Sequence, residues 1–184
     1  MALVVLTGGA RSGKSAVAQR LVQGRGGVVT VAVFGRAAGD AEMADRIERH
    51  RRDRPASWRV VEATDASRWI PEIGPGTLLL DCLGTLLALV MEECATADEV
   101  TTRLDRVLDW ITSRDGDTIV VTNEVGDGIV PVHASARLFR DVLGRANRRL
   151  VERADAAYLV VAGRCVDLSA LPTDVSWPTG ERDA

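Results

Sequence analysis

Eight consecutive residues, Gly8-Gly9-Ala10-Arg11-Ser12-Gly13-Lys14-Ser15, follow the spacing G-x-x-x-x-G-K-[ST]. Glycines in such a run let the backbone turn its N–H groups inward, and a helix that begins there adds the positive end of its dipole, so the segment suits a polyphosphate. Lys14 would neutralise the β and γ phosphates and the Ser15 hydroxyl would ligate Mg²⁺. The competing reading is a glycine-rich turn that binds nothing. Against it stand the apolar run Leu3–Leu6 before the loop, the helical pattern Lys14–Gln23 after it, and the fact that Lys14 is the only lysine among 23 basic residues. A metal bound there needs a further oxygen ligand. Asp81 closes the run Leu78-Leu79-Leu80 at an expected strand end, where ligands of open α/β sheets gather, although an ordinary polar strand end would look the same.

A second constellation surrounds a histidine. In the expected helix Asp40–Arg54, Met43, Ile47 and His50 fall at i, i+4 and i+7, with Arg46, Arg49, Arg51, Arg52 and Arg54 around them and Pro55 as the stop. The arginines could grip a polyphosphate and hold the imidazole neutral, the form able to attack phosphorus. The alternative is a solvated charged helix balanced by Asp45, Glu48 and Asp53. The residues alone leave both open.

These groups need a scaffold. Short runs rich in valine and leucine, at Leu3–Leu6, Val28–Phe34, Thr77–Cys82, Thr118–Thr122 and Ala157–Val161, alternate with amphipathic segments at Lys14–Gln23, Asp40–Arg54, Thr96–Arg114 and Ala134–Arg153, and more weakly at Asp65–Ile73. This is the pattern of an α/β protein with a mainly parallel sheet flanked by helices on both faces, of the P-loop NTPase type. The 184 residues make one domain, residues 1–167, followed by a tail, 168–184, that loses periodicity. Hydrophobic residues at 46% and charged residues at 27% exclude disorder, and a net charge of −3 gives no general field for nucleic acid. Cys82, Cys94 and Cys165 show no metal-ligand spacing and lie in apolar stretches, as buried thiols of a reducing compartment do. Leu78–Met91, the longest apolar stretch, contains Asp81 and is too short to span a bilayer. With no basic leader at the N-terminus, the expectation is a cytoplasmic protein.

TGGARSGKS at Thr7–Ser15, EMADRIERHRRDRP at Glu42–Pro55, VTNEVGDGIVP at Val121–Pro131 and FRDVLGRANRRL at Phe139–Leu150 resemble the bifunctional adenosylcobinamide kinase/adenosylcobinamide-phosphate guanylyltransferase family. The likeness runs from about Leu3 to Val166, and the TNEVGDGIVP block is far more specific than a phosphate loop. The resemblance implies phosphorylation of adenosylcobinamide by ATP or GTP, then transfer of GMP from GTP through a guanylyl-histidine, giving adenosylcobinamide-GDP. It implies His50 as the nucleophile, with Lys14 as the other catalytic residue. It further implies nucleotide contacts at Gly8–Ser15, at Val33, Phe34 and Gly35, at Arg51, Arg52, Asp53 and Arg54, and at Glu62 and Asp81, and a homotrimer. Glu62 and Asp81 would serve as metal-side carboxylates or as acceptors for guanine N1–H and N2–H₂.

The sequence departs from the family pattern in three places. Val33-Phe34 stands where a small hydroxyl residue is common, so a contact there runs through backbone. Asp81 replaces the usual glutamate, and Arg148 follows Asn147 where glutamine is usual. Glu124, after the run Ile119–Val121, is a candidate for the cobinamide side or for activating its hydroxyl, or else stabilises the turn before GDGIVP. His133 borders a helix and carries no chemistry. Two other readings compete: a single-activity P-loop small-molecule kinase, and a GTP-binding regulatory module.

Overall fold

The computed structural model describes residues 1–34 and 54–175. Seven strands form one sheet: β1 (Leu3–Thr7), β2 (Val29–Phe34), β3 (Arg59–Ala63), β4 (Thr77–Asp81), β5 (Thr118–Val121), β6 (Ala156–Val161) and β7 (Arg164–Asp167). Their order is β3-β2-β4-β5-β1-β6-β7, and every pairing is parallel except β6 with β7. The described helices are α1 (Lys14–Arg25), α2 (Leu83–Glu93), α3 (Ala97–Ser113) and α4 (Ala134–Val151).

The central strands read as continuous apolar runs because both faces of the sheet are covered. Leu79, Leu6, Val31, Ile119 and Val121 pack with Ala18 and Val22 of α1 on one face. Val5, Leu78, Leu80, Ala32 and Val120 pack on the other, with Leu83, Leu86 and Leu87 of α2, Leu104 and Leu108 of α3 and Leu143 and Leu150 of α4. Residue 79 thus faces opposite to 78 and 80, the period of two that a strand imposes. Helix α3 begins at a capping box in which the Thr96 hydroxyl accepts from the Glu99 N–H and the Glu99 carboxylate accepts from the Thr96 N–H. Its buried residues Val100, Leu104, Val107, Leu108 and Ile111 form the stripe that its spacing predicts. Among the described residues no helix is long and apolar enough to cross a membrane.

The α/β expectation holds, and five local points differ from the sequence reading. Edge strand β3 was not anticipated, because Arg59 and Glu62 interrupt its apolar pattern and only Val61 and Ala63 are buried. Strand β7 is exposed throughout and therefore has no hydrophobic period. Ala162 (φ 49°) and Gly163 (φ 76°) join it to β6 in a two-residue hairpin, the turn that requires positive φ at both positions. The apolar stretch 78–91 is two elements, β4 and α2, divided at Cys82. Asp65–Ile73 yields only a single 3₁₀ turn, Ile70–Glu72. Its Trp69 is buried edge-on between Phe34 and Trp110, with centroids 5.1 and 5.3 Å away, and donates its indole N–H to the Ala66 carbonyl. Cys165 is exposed on β7, against the expectation of a buried thiol, whereas Cys82 and Cys94 are half-buried. After β7 the chain stays on the sheet: the Leu168 N–H donates to the Ala157 carbonyl and Ser169 Oγ accepts from the Ala157 N–H.

Asp117 ties the opposite ends of three elements together. It accepts from Arg25 at the end of α1, at 2.7 Å, and from the Ala2 N–H before β1, at 2.8 Å, while sitting just before β5. These bonds, the Arg25 bond first, hold its carboxyl below the ordinary carboxylate range, although partial burial opposes them. A depressed carboxylate adds stability above its unfolded-state pKa, and that stability is lost as pH falls through the lower folded value. Asp117→Asn is therefore expected to cost up to about 1 kcal/mol at neutral pH, since Arg25 is largely exposed, and to flatten acid unfolding below the carboxylate range. Urea midpoints measured across that range check both effects.

Candidate functional site

Strand β1 delivers the chain to the sheet's C-terminal edge, and the loop Gly8–Ser15 turns there into α1. Gly8 is obligatory by contact: a Cβ at this position would sit 2.4 Å from the Val160 carbonyl oxygen of β6. The loop is held from both sides. The Gly163 N–H of the β6–β7 hairpin donates to the Ser12 carbonyl at 2.8 Å, and the Glu124 N–H donates to the Gly8 carbonyl at 3.0 Å. Within it, Lys14 is 5% exposed and its Nζ donates to the Gly9 carbonyl at 2.9 Å. Gly9, Ala10, Arg11 and Gly13 face solvent, so the concave side of the loop is open to a ligand.

Register brings the other expected residues into one row. Val33 pairs with Glu62 on one side and Asp81 on the other, Asp81 pairs with Val121, and Val121 pairs with Leu6. The row therefore runs Glu62, Val33, Asp81, Val121, Leu6 across the C-terminal ends of β3, β2, β4, β5 and β1. At about 4.8 Å per strand, Glu62 lies about 10 Å from Asp81 and about 19 Å from β1. Asp81 meets the loop directly: Ser15 Oγ donates to Asp81 Oδ1 at 3.1 Å. Phe34, at 7% exposure, is committed to the core against Trp69, so only its backbone is available at the edge.

Arg54 approaches the other oxygen of Asp81, with Nη2 3.7 Å from Oδ2 and a side chain only 7% exposed. Burial pulls its guanidinium below the ordinary value, while Asp81 and Glu62 act in the opposite sense. Its Nε is buried without a protein partner. Arg54 is thus the buried counter-charge for two carboxylates. Arg54→Met is expected to destabilise the fold by about 1–3 kcal/mol, because both acids lose their shared cation. Arg54→Lys should not restore it, since a compact ammonium cannot reproduce the planar fork. Urea denaturation of the two variants checks this.

A third group was not legible in the sequence. Asn147 of α4 accepts from the Thr122 hydroxyl at 2.6 Å and donates from Nδ2 to the Asn123 carbonyl at 2.9 Å, while Cys82 Sγ donates to Asn123 Oδ1 at 3.4 Å. Gly84 at the start of α2 makes room for this side chain, since a Cβ there would lie 3.2 Å from Asn123 Oδ1. The segment 122–124 is therefore clamped by α2, α4 and the phosphate loop. The hairpin residue Gly163 was equally unforeseen as a support of the loop. Nothing but tertiary contact reveals either, although Gly163 carries the glycine of a two-residue turn. His133 lies at the N-cap of α4 without a capping side-chain bond. His50, Gly35, Arg51, Arg52 and Asp53 lie outside the described residues.

Among the described residues no group of three or more His, Cys, Asp or Glu gathers as a metal cage. Ser15 and Asp81 offer two hard oxygens in contact, which suits a cation that takes its remaining ligands from phosphates and water, as Mg²⁺ does.

A family model described as cobinamide kinase / cobinamide phosphate guanyltransferase matches residues 4–168. The bifunctional adenosylcobalamin biosynthesis protein CobU of Escherichia coli is 34% identical over 181 residues, covering 88% of this chain and 96% of that protein. CobU of Salmonella typhimurium is 33% identical over 176 residues, with 88% and 96% covered. The bifunctional adenosylcobalamin biosynthesis protein CobP of Pseudomonas aeruginosa is 34% identical over 171 residues, with 91% and 98% covered. An ATPase from a bacterial type III secretion system superposes with a TM-score of 0.52 at 11% identity over 86% of this chain, which spans half the length of that one. A Pyrococcus horikoshii protein superposes at 0.50 and 9% identity, over 90% of this chain and 85% of its own. These two likenesses concern the fold, the P-loop NTPase type that the loop and sheet order indicate.

Proposed function

This chain belongs to the cobinamide kinase / cobinamide phosphate guanyltransferase family, and from that premise we propose how its residues divide the two reactions. The observation that carries the reading is the hydrogen bond between Ser15 and Asp81, which joins the end of the phosphate loop to the carboxylate of β4. In the kinase half the loop Gly8–Ser15 binds the triphosphate of ATP or GTP, and Lys14 leaves the Gly9 carbonyl to neutralise charge on the transferring phosphoryl group. Ser15 and Asp81 would hold Mg²⁺, which screens the phosphates when bound. The hydroxyl of adenosylcobinamide attacks the γ-phosphorus and the nucleoside diphosphate leaves.

In the guanylyltransferase half, an imidazole nitrogen of His50 attacks the α-phosphorus of GTP and pyrophosphate leaves. A phosphate oxygen of adenosylcobinamide phosphate then attacks the same phosphorus, the P–N bond breaks, and adenosylcobinamide-GDP forms with free imidazole restored. The family likeness assigns Arg51, Arg52, Asp53 and Arg54 to the nucleotide, the three arginines supplying positive charge for this step. Glu62, two strands and about 10 Å from Asp81, is assigned to the guanine end, with Val33, Phe34 and Gly35 carried over from the family as further nucleotide contacts. The protein is proposed to act in the cytoplasm as a homotrimer. The exposed apolar side chains Ile129, Val130 and Val132 offer surface for such an assembly, and its mass by light scattering checks the number of subunits.

The deciding experiment incubates the protein with Mg²⁺ and GTP labelled at the α-phosphorus, then denatures it. Label that stays on the protein, survives base and is lost in acid is expected. Transfer of γ-phosphate to adenosylcobinamide without any such label would reduce the protein to a single-activity kinase.

A further inference from the structure

Strand β5 lies between β1, which carries the phosphate loop, and β4, which carries Asp81. Val121 pairs with Leu6 on one side and with Asp81 on the other, so whatever follows β5 emerges between the triphosphate loop and the metal-side carboxylate. The chain there is Thr122-Asn123-Glu124, and the Glu124 N–H is bonded to the Gly8 carbonyl, the first residue of the loop. The Thr122 and Asn123 bonds to Asn147 and Cys82 fix this segment from behind. Glu124 is half-buried, and Oε1 accepts from the Gly126 N–H at 2.7 Å, which sets the direction of its carboxylate. Among the described residues Oε2 has no hydrogen-bond partner, and no Lys or Arg forms an ion pair with this side chain.

We propose that Glu124 is the general base of the phosphoryl-transfer half-reaction, a step that rests on the reading of Gly8–Ser15 as its centre. A carboxylate whose backbone is bonded to the loop, with no ion pair among the described residues and one oxygen open, can take a proton from a hydroxyl that approaches the γ-phosphate. As the acceptor oxygen bonds to the γ-phosphorus, the bond from that phosphorus to the β,γ-bridging oxygen breaks. The nucleoside diphosphate leaves and the hydroxyl proton passes to Glu124 Oε2, which returns it to water. The groups on the surrounding elements are Arg11 and Lys14 of the loop, Asp81 and Cys82 at the end of β4, Asp127 on its own segment, and His133 and Arg137 at the start of α4. The turn-stabilising bond to Gly126 accompanies this role, since a glutamine could make it equally well.

The test compares the full-length protein with Glu124→Gln, which keeps an acceptor for Gly126 and removes the base. Two rates are followed with γ-labelled GTP, transfer to adenosylcobinamide and the slow hydrolysis in which water is the acceptor, and the guanylyl label is read separately with GTP labelled at the α-phosphorus. The expected result is a fall of about 10²–10⁴-fold in kcat for both, loss of the acidic limb of the pH–rate profile, an unchanged KM for GTP, and normal base-stable guanylyl label. Retention of the rate and of its acidic limb overturns the proposal. So does a parallel loss of GTP binding and label, which would make Glu124 a structural support of the loop. If the wild-type protein hydrolyses GTP with Glu124 dependence but never phosphorylates adenosylcobinamide, the substrate reading falls and the role of Glu124 stands.

Discussion

Replacing His50 by alanine is expected to abolish the acid-labile guanylyl label and to lower guanylyl transfer by at least about 10⁴-fold, because in the proposed mechanism its imidazole forms the bond to phosphorus. The reason for so large an effect lies in bond making. Other groups near a phosphate contribute electrostatic stabilisation and can be partly replaced by neighbours, whereas the P–N bond needs this nitrogen. A second consequence separates catalysis from folding: γ-phosphate transfer should persist in His50→Ala, since Lys14 is bonded to the Gly9 carbonyl of the loop and Ser15 to Asp81. Measuring label, GMP transfer and γ-phosphate transfer on the same preparation checks all three. Residual label in the alanine variant would move the nucleophile elsewhere.

The phosphate loop was legible because its chemistry is local: glycines, lysine and serine at fixed spacing must sit between a strand and a helix, and they do. Asp81 was legible for the same reason, as the polar end of an apolar run. Glu62 was named only through family likeness, because its strand has too few buried residues to announce itself and its place in the row is set by the pairing of β3 with β2. The clamp on Asn123 was invisible, since it joins residues 82, 84, 123 and 147, whose proximity is decided by how α2 and α4 pack on the sheet. The hairpin at Gly163 shows the limit most plainly. Its strand is wholly exposed, so the hydrophobic pattern that finds every buried strand says nothing about it, although it supports the loop through a backbone bond to Ser12.

The other large effect concerns Lys14. Lys14→Met is expected to lower kcat/KM about 10²–10³-fold, or about 2.7–4 kcal/mol, in the kinase half, with a similar loss of guanylyl label. One loop is taken to hold the triphosphate for both reactions, so one cation serves both. Lys14 is 5% exposed, and its ammonium donates to the Gly9 carbonyl within the loop. Methionine fills similar volume without that charge, and a thermal midpoint measured beside the rates separates lost catalysis from lost folding. Arginine should fail as well. Its planar fork cannot occupy the space in which a single Nζ reaches the Gly9 carbonyl at 2.9 Å, so Lys14→Arg tests whether charge alone suffices. A variant that retains the kinase rate but loses the guanylyl label would show that the two reactions use different phosphate sites, and the single-loop mechanism would have to be abandoned.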